Sequence, residues 1–308
     1  MRFLDFLILV LLLVAILFGA YIIWINLPIK TQEFKTDNID GKILNVYTNG
    51  TQFYPNMRYP DKIISYSIAE SCDSMKEKNI VDAFSILSEN TILSFNQIQS
   101  NGEIDILCSD IAPEPQDEKH FVAGEGGPKE IYASGQYYVI ISGKVSLYRY
   151  EKCDEPKIAL HEILHALGFD HNGNSKSILY HVTNCDEKLD QYIIDEINRL
   201  YSVKSAPDLV ISNVRAEKTG RYLSFTVEIT NSGLIDANDV NLRLYAGDEI
   251  IKEFEFQVIS IGNKKEMKAS NVVIPRDTDK ITFQAYLTDE GDELSFENNW
   301  AELNIVKE

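Results

Sequence analysis

A helix that has to stop within a turn of its second histidine is written into residues 161–171, His-Glu-Ile-Leu-His-Ala-Leu-Gly-Phe-Asp-His. Residues four apart lie on one face of an α-helix, so His161 and His165 present their ring nitrogens to a single point. Gly168 follows three residues later. It is the residue that best tolerates left-handed backbone, and it can end the helix and swing the chain back so that His171 reaches the same point. Three imidazoles form a ligand set for zinc that leaves the fourth position open, which distinguishes a catalytic ion from a structural one. Glu162 sits beside the first ligand without being one, where its carboxylate can take a proton from water.

The five fixed positions His161, Glu162, His165, Gly168 and His171 reproduce His-Glu-x-x-His-x-x-Gly-x-x-His, and the chain thereby resembles the metzincin clan of zinc peptidases. Metzincins carry a methionine turn beneath the metal. The matching run here is Ser177-Ile178-Leu179-Tyr180, which is similar to the Ser-Ile-Met-Tyr-Pro of matrixins with Leu179 for methionine and His181 for proline. Leucine is close to methionine in volume and apolarity, so the apolar floor is expected to survive. His181 falls where astacins place a metal-binding tyrosine, and is read here as an exposed or hydrogen-bonded histidine. The resemblance implies a zinc-dependent endopeptidase with His161, His165 and His171 as ligands and Glu162 as general base.

Phe6 to Leu27 contains no charge and matches the roughly twenty residues that span a bilayer. Residues 1–31 are therefore a membrane anchor or a signal peptide. The length of the run, and Phe18 where a cleavage site wants a small residue, favour an anchor, with the rest of the chain extracellular. Cys72, Cys108, Cys153 and Cys185 all fall between the apolar run and residue 204. Without a Cys-x-x-Cys pair they suggest two disulfides and an oxidising exterior. Three pairings are open; the preferred one joins Cys153 to Cys185, across the active-site helix and the Leu179 turn, and Cys72 to Cys108.

Residues 32–204 read as α/β: a strand at 63–68, a helix from Met75 to Phe95, a strand at 103–108, strands or an edge hairpin around 131–141, the histidine helix from Pro156 to Leu167, and an amphipathic helix from Asp186 to Tyr201. That order resembles the matrixin-like catalytic domain. The segment Phe121 to Pro128 lacks the lysine of a phosphate-binding loop and reads as a flexible loop near the cleft, and His120 before it as a solvent-facing residue. An edge strand after the loop offers unpaired amides and carbonyls to an extended peptide.

Residues 205–308 alternate cleanly at 223–229, 240–244, 254–258, 281–287 and 301–305, the pattern of an all-β immunoglobulin-like sandwich. Its Pro207-Asp208-Leu209-Val210-Ile211 opening, Thr230-Asn231-Ser232-Gly233 turn and Glu297-Asn298-Asn299 ending resemble the adhesion-related CARDB modules of prokaryotic surface proteins. Asp289, Glu290, Asp292 and Glu293 read as a solvated acidic loop, with Ca2+ binding as the alternative. The net charge of -18 excludes a phosphate-binding surface and hence nucleic acid as partner. The expected partners are a peptide or protein substrate, a membrane through the N-terminal helix, and a surface partner through the sandwich. The alternative function is a surface adhesion protein whose zinc domain is catalytically silent.

Overall fold

The computed structural model describes residues 3–26, 31–36, 51–114, 122–182, 184–288 and 291–305. Helix α1 (Phe3–Asn26) contains the apolar span Phe6–Trp24, of mean hydropathy 3.1, and buries none of it against the rest of the protein. Strand β1 (Thr31–Thr36) follows it.

The first globular unit is built on a sheet of β2 (Met57–Arg58), β3 (Ile63–Ile68), β4 (Ser94–Ile98), β5 (Ile104–Cys108), β6 (Gly124–Ser134) and β7 (Tyr137–Leu147). The order β2-β7-β5-β3-β4 is parallel throughout, and β6 lies antiparallel on β7 as the second arm of a hairpin. Helix α2 (Ser74–Asn90) starts at Asp73, whose carboxylate accepts from the amides of Met75 and Lys76, and buries Ile80, Ala83, Phe84 and Leu87. The apolar spacing that predicts helix as far as Phe95 is overridden at Thr91. The amide and hydroxyl of Thr91 both donate to Leu87 O, ending the helix so that 94–98 can pair with β3. Helices α3 (Lys157–Ala166) and α4 (Gln191–Tyr201) complete the unit, the latter burying Ile193, Ile197, Leu200 and Tyr201. The stretch expected as a flexible loop is instead, from Gly124 onward, the beginning of β6.

Both disulfides have the preferred pairing, Cys72–Cys108 and Cys153–Cys185. Each closes a loop of more than thirty residues (sequence separations 36 and 32), which stabilises the native chain by about 4 kcal/mol in the loop-entropy account.

The second unit contains β8 (Leu209–Thr219), β9 (Tyr222–Asn231), β10 (Ala237–Asn238), β11 (Val240–Ala246), β12 (Glu249–Glu255), β13 (Val258–Ile259), β14 (Lys264–Val273), β15 (Lys280–Leu287) and β16 (Trp300–Ile305). Leu223, Phe225, Val227 and Ile229 alternate into its core and meet Leu242, Leu244, Ile281, Phe283 and Leu303 from the facing strands. The run expected as one strand at 254–258 is divided: β12 ends at Glu255, Gln257 turns the chain with φ 56°, and β13 pairs with β10. The strand order is β12-β11-β15-β16-β1-β8-β9-β14. Thus β1, assigned by linear reading to residues 32–204, is part of the sandwich. Its partners are far away in sequence, so no local pattern announces the pairing.

The two units are docked. Tyr137 and Val139 of β7 bury against Leu234, with Ile141, Val203, Ile261 and Leu294 packed around them. Ser134 Oγ donates to Gly233 O at 2.6 Å, and a Cβ on Gly262 would lie 2.2 Å from Ala133 O, so the sandwich closes directly on the β6–β7 turn.

Candidate metal centre

Helix α3 carries the first two histidines on its buried face, His161 and His165 each 5% exposed. The helix ends where the sequence requires: Leu167 N donates to Ile163 O, Gly168 N to His165 O at 2.9 Å, and Phe169 N to Leu164 O at 3.1 Å. Gly168 has φ +96°, and a Cβ there would lie 2.7 Å from Met57 Cγ and Sδ. The reversed chain is held by an amide from Asp170 to Thr51 O at 2.9 Å and by Phe53 N to Gly168 O at 3.0 Å, and it delivers His171. Gly168→Ala is expected to lower stability by about 1–3 kcal/mol and to weaken zinc binding, because His171 moves with the strained turn; denaturant unfolding and a zinc titration measure the two effects.

The three Nε2 atoms converge. His161 and His165 are 2.9 Å apart, His161 and His171 3.1 Å, and His165 and His171 3.2 Å. The Nδ1–H of His161 donates to Ile178 O and that of His165 to Phe169 O, both at 2.6 Å. Those bonds fix the tautomer of the two rings and leave their Nε2 lone pairs directed at the point that His171 Nε2 also reaches, an arrangement that a bound cation stabilises. Burial first, and then the neighbouring imidazole of His165, pushes His161 down to about 3; burial also lowers His165 and His171. Tetrahedral zinc with nitrogen at about 2.0–2.1 Å separates its ligands by about 3.3 Å, so these residues fit the ion with little adjustment.

The floor is the turn at 177–180. Ser177 and Leu179 are fully buried, Leu179 O accepts from Asn172 N at 2.9 Å, and Ser177 Oγ donates to Asp190 and accepts from Leu179 N at 3.1 Å. The same turn supplies the Ile178 carbonyl that orients His161, so leucine in place of methionine leaves both the apolar floor and its backbone role intact. His181 is exposed, its ring 4.3 Å from that of Tyr180, and lies outside the converging trio.

Glu162 is 7% exposed and lies under β6. A Cβ on Gly126 would fall 2.0 Å from Glu162 O, and one on Gly124 2.6 Å from Glu162 Cγ, so these glycines allow the edge strand to rest on the helix. Burial, reinforced by Glu125, pushes the carboxyl up to about 8, while the Gly126 amide bonds to it and favours the charged form. An adjacent divalent cation acts in the same direction as that amide and favours the carboxylate. The glycines were visible in the sequence, but glycine's low strand propensity disguised their role.

Three supporting side chains had no signal beyond a single residue letter. Arg58, 1% exposed, donates to the carbonyls of Tyr59, Pro60, Leu200 and Val203, and its guanidinium lies 4.5 Å from the centre of the Tyr201 ring. Next to it, Tyr59 OH donates to Ala166 O at 3.2 Å, at the end of α3. At the other end, Lys157 Nζ donates to Glu187 O at 2.7 Å beside the Cys153–Cys185 bridge.

Among the described residues, His161, His165 and His171 are the one group of three or more potential ligand side chains within reach of a common ion. Of the acidic loop considered for calcium, Asp289 and Glu290 lie outside the described residues, as does His120. Asp292 pairs with Lys204, and Glu293 accepts from Leu209 N and Asn299 Nδ2, both at 2.8 Å.

Residues 58–202 match the Matrixin family and residues 206–302 match CARDB. A matrixin domain at 58–202 is thus followed by a CARDB β-sandwich at 206–302; β1, and the three residues of β16 with which it pairs, lie outside both matches. No curated protein matches the chain. Two similar solved structures are of the CARDB domain of the PF1109 protein from Pyrococcus furiosus. One is a crystal structure in complex with di-metal ions, 17% identical, covering 33% of this chain and 87% of that chain at a TM-score of 0.27. The other is a solution NMR structure, 18% identical, covering 33% and 94% at a TM-score of 0.28.

Proposed function

We propose that this chain is a membrane-anchored, zinc-dependent endopeptidase with both globular units outside the membrane. The observation that carries the reading is the convergence of three Nε2 lone pairs, two of them fixed by Nδ1–H bonds to backbone carbonyls, beside a buried carboxylate that is not one of the three. His161, His165 and His171 would hold the ion. When bound, zinc supplies Lewis acidity that makes water a better acid and a peptide carbonyl a better electrophile. Glu162 takes the proton of the attacking water and passes it to the leaving amine, while the Gly126 amide keeps its carboxylate oriented. Among the described residues β6 pairs only with β7, and its free edge suits an extended substrate backbone.

The sandwich contributes by position. It grips the turn of the same hairpin whose edge lies over Glu162, and its CARDB character suits contact with a surface partner that brings the peptidase near its substrates. The test is incubation of the zinc-loaded chain with a mixed peptide library. Cleavage is expected, with loss of all turnover on adding a chelator and recovery on adding zinc; cleavage insensitive to chelator, or none across varied peptides, overturns the reading.

A further inference from the structure

The membrane-proximal strand is stitched into the far end of the chain. Thr31 to Phe34 pair with Thr219 to Ala216 of β8, and Phe34 to Thr36 pair with Ile305 to Leu303 of β16, both antiparallel. In the order β12-β11-β15-β16-β1-β8-β9-β14, β1 is the strand that joins the β16 side of the sandwich to the β8 side. Without it those lengths of β8 and β16 would face each other as open edges.

The strand has one apolar anchor. Phe34 is 5% exposed and belongs to the sandwich core, whereas Thr31, Gln32, Glu33 and Lys35 are exposed. Small Ala216 sits opposite Phe34 on β8, leaving room for the ring. Thr31 and Thr219 add a hydroxyl pair at 2.9 Å. A polar strand held by one aromatic side chain and by backbone bonds on both sides has the features of a strand-addition ligand in its groove.

We infer that the seam between β8 and β16 is a strand-binding site for this chain's own juxtamembrane segment, so that the two-domain body stays on its anchor through β1 even when the chain is cut between β1 and the peptidase. A processing cut in residues 37–50 would then leave the peptidase attached, and release would require β1 to leave the seam. The membrane consequence rests on the proposed anchoring role of α1; the strand-binding site does not.

The experiment uses the full chain in detergent, immobilised by an N-terminal tag, with a specific protease sequence inserted between residues 37 and 50. After cutting, the body is expected to remain on the resin under native conditions and to elute in denaturant. Phe34→Ala is expected to shorten its retention about 10- to 100-fold, the equivalent of exposing one buried phenylalanine. Uncut Phe34→Ala chain, which is held covalently, reports whether the variant is folded through its thermal unfolding. An excess of free peptide spanning residues 31–36 should accelerate release of the cut wild type. Immediate loss of the wild-type body on cutting overturns the inference, as does retention unaffected by both Phe34→Ala and the peptide. Neither readout depends on peptidase activity or on a membrane, so failure here leaves the proposed function standing, and failure of that function leaves this result readable.

Discussion

Glu162→Gln is expected to lower kcat for peptide cleavage by about 10²- to 10⁴-fold while the protein still retains zinc. Glutamine keeps the shape of the side chain and an oxygen for the Gly126 amide, so β6 should stay seated on α3. What is lost is the ability to accept a proton from water and return it to the leaving nitrogen. The ligands are untouched, because the carboxylate is not among the converging nitrogens. Metal content by elemental analysis and turnover on a peptide library separate the two quantities. Activity retained by the zinc-loaded variant would sink the assignment of Glu162 as base.

Arg58→Met, at a residue that makes no contact with the three histidines, should produce the largest loss of stability, about 4 kcal/mol. Methionine fills much of the space but donates nothing, leaving four carbonyls that Arg58 now satisfies, in a place that is 1% exposed. Two of them, Leu200 and Val203, belong to the end of α4 and the segment after it, so the helix end should loosen first. Because neighbouring Tyr59 bonds to the last residue of α3, metal affinity is expected to fall as well. Thermal unfolding should show the peptidase unit melting about 10 °C lower. An unchanged midpoint would show that water replaces the guanidinium at little cost.

The meeting of the three histidines was legible because its geometry is local: five residues within eleven positions fix a helix, a turn and three imidazoles that converge. The alternating core of the sandwich was legible for a similar reason, since strand periodicity survives wherever one face is buried. Of the elements that escaped, three did so through a competing local signal. Glycines 124 and 126 suggested a loop, because their value lies in the close approach of another element rather than in their own propensity. Residues 94–95 continued the helical spacing of α2, and only pairing with β3 makes them strand. In β14, Lys264, Lys265 and Glu266 hide the alternation, because most of that strand is exposed at the sheet edge. For β1 there was no signal to miss: six mostly polar residues become a strand only because two distant segments leave a slot for Phe34.

The pairing of β1 with both β8 and β16 also orders events during synthesis. The ribosome makes β1 immediately after the apolar helix, but its seat is not complete until residues 303–305 have emerged. The peptidase unit, with its sheet, histidines and both disulfides, is made wholly in between and can fold while the strand behind it is still unpaired. The seat of β1 therefore closes last, and a chain broken off before β16 would leave one edge of that strand without its partner, marking it as unfinished to any protease that reads exposed backbone.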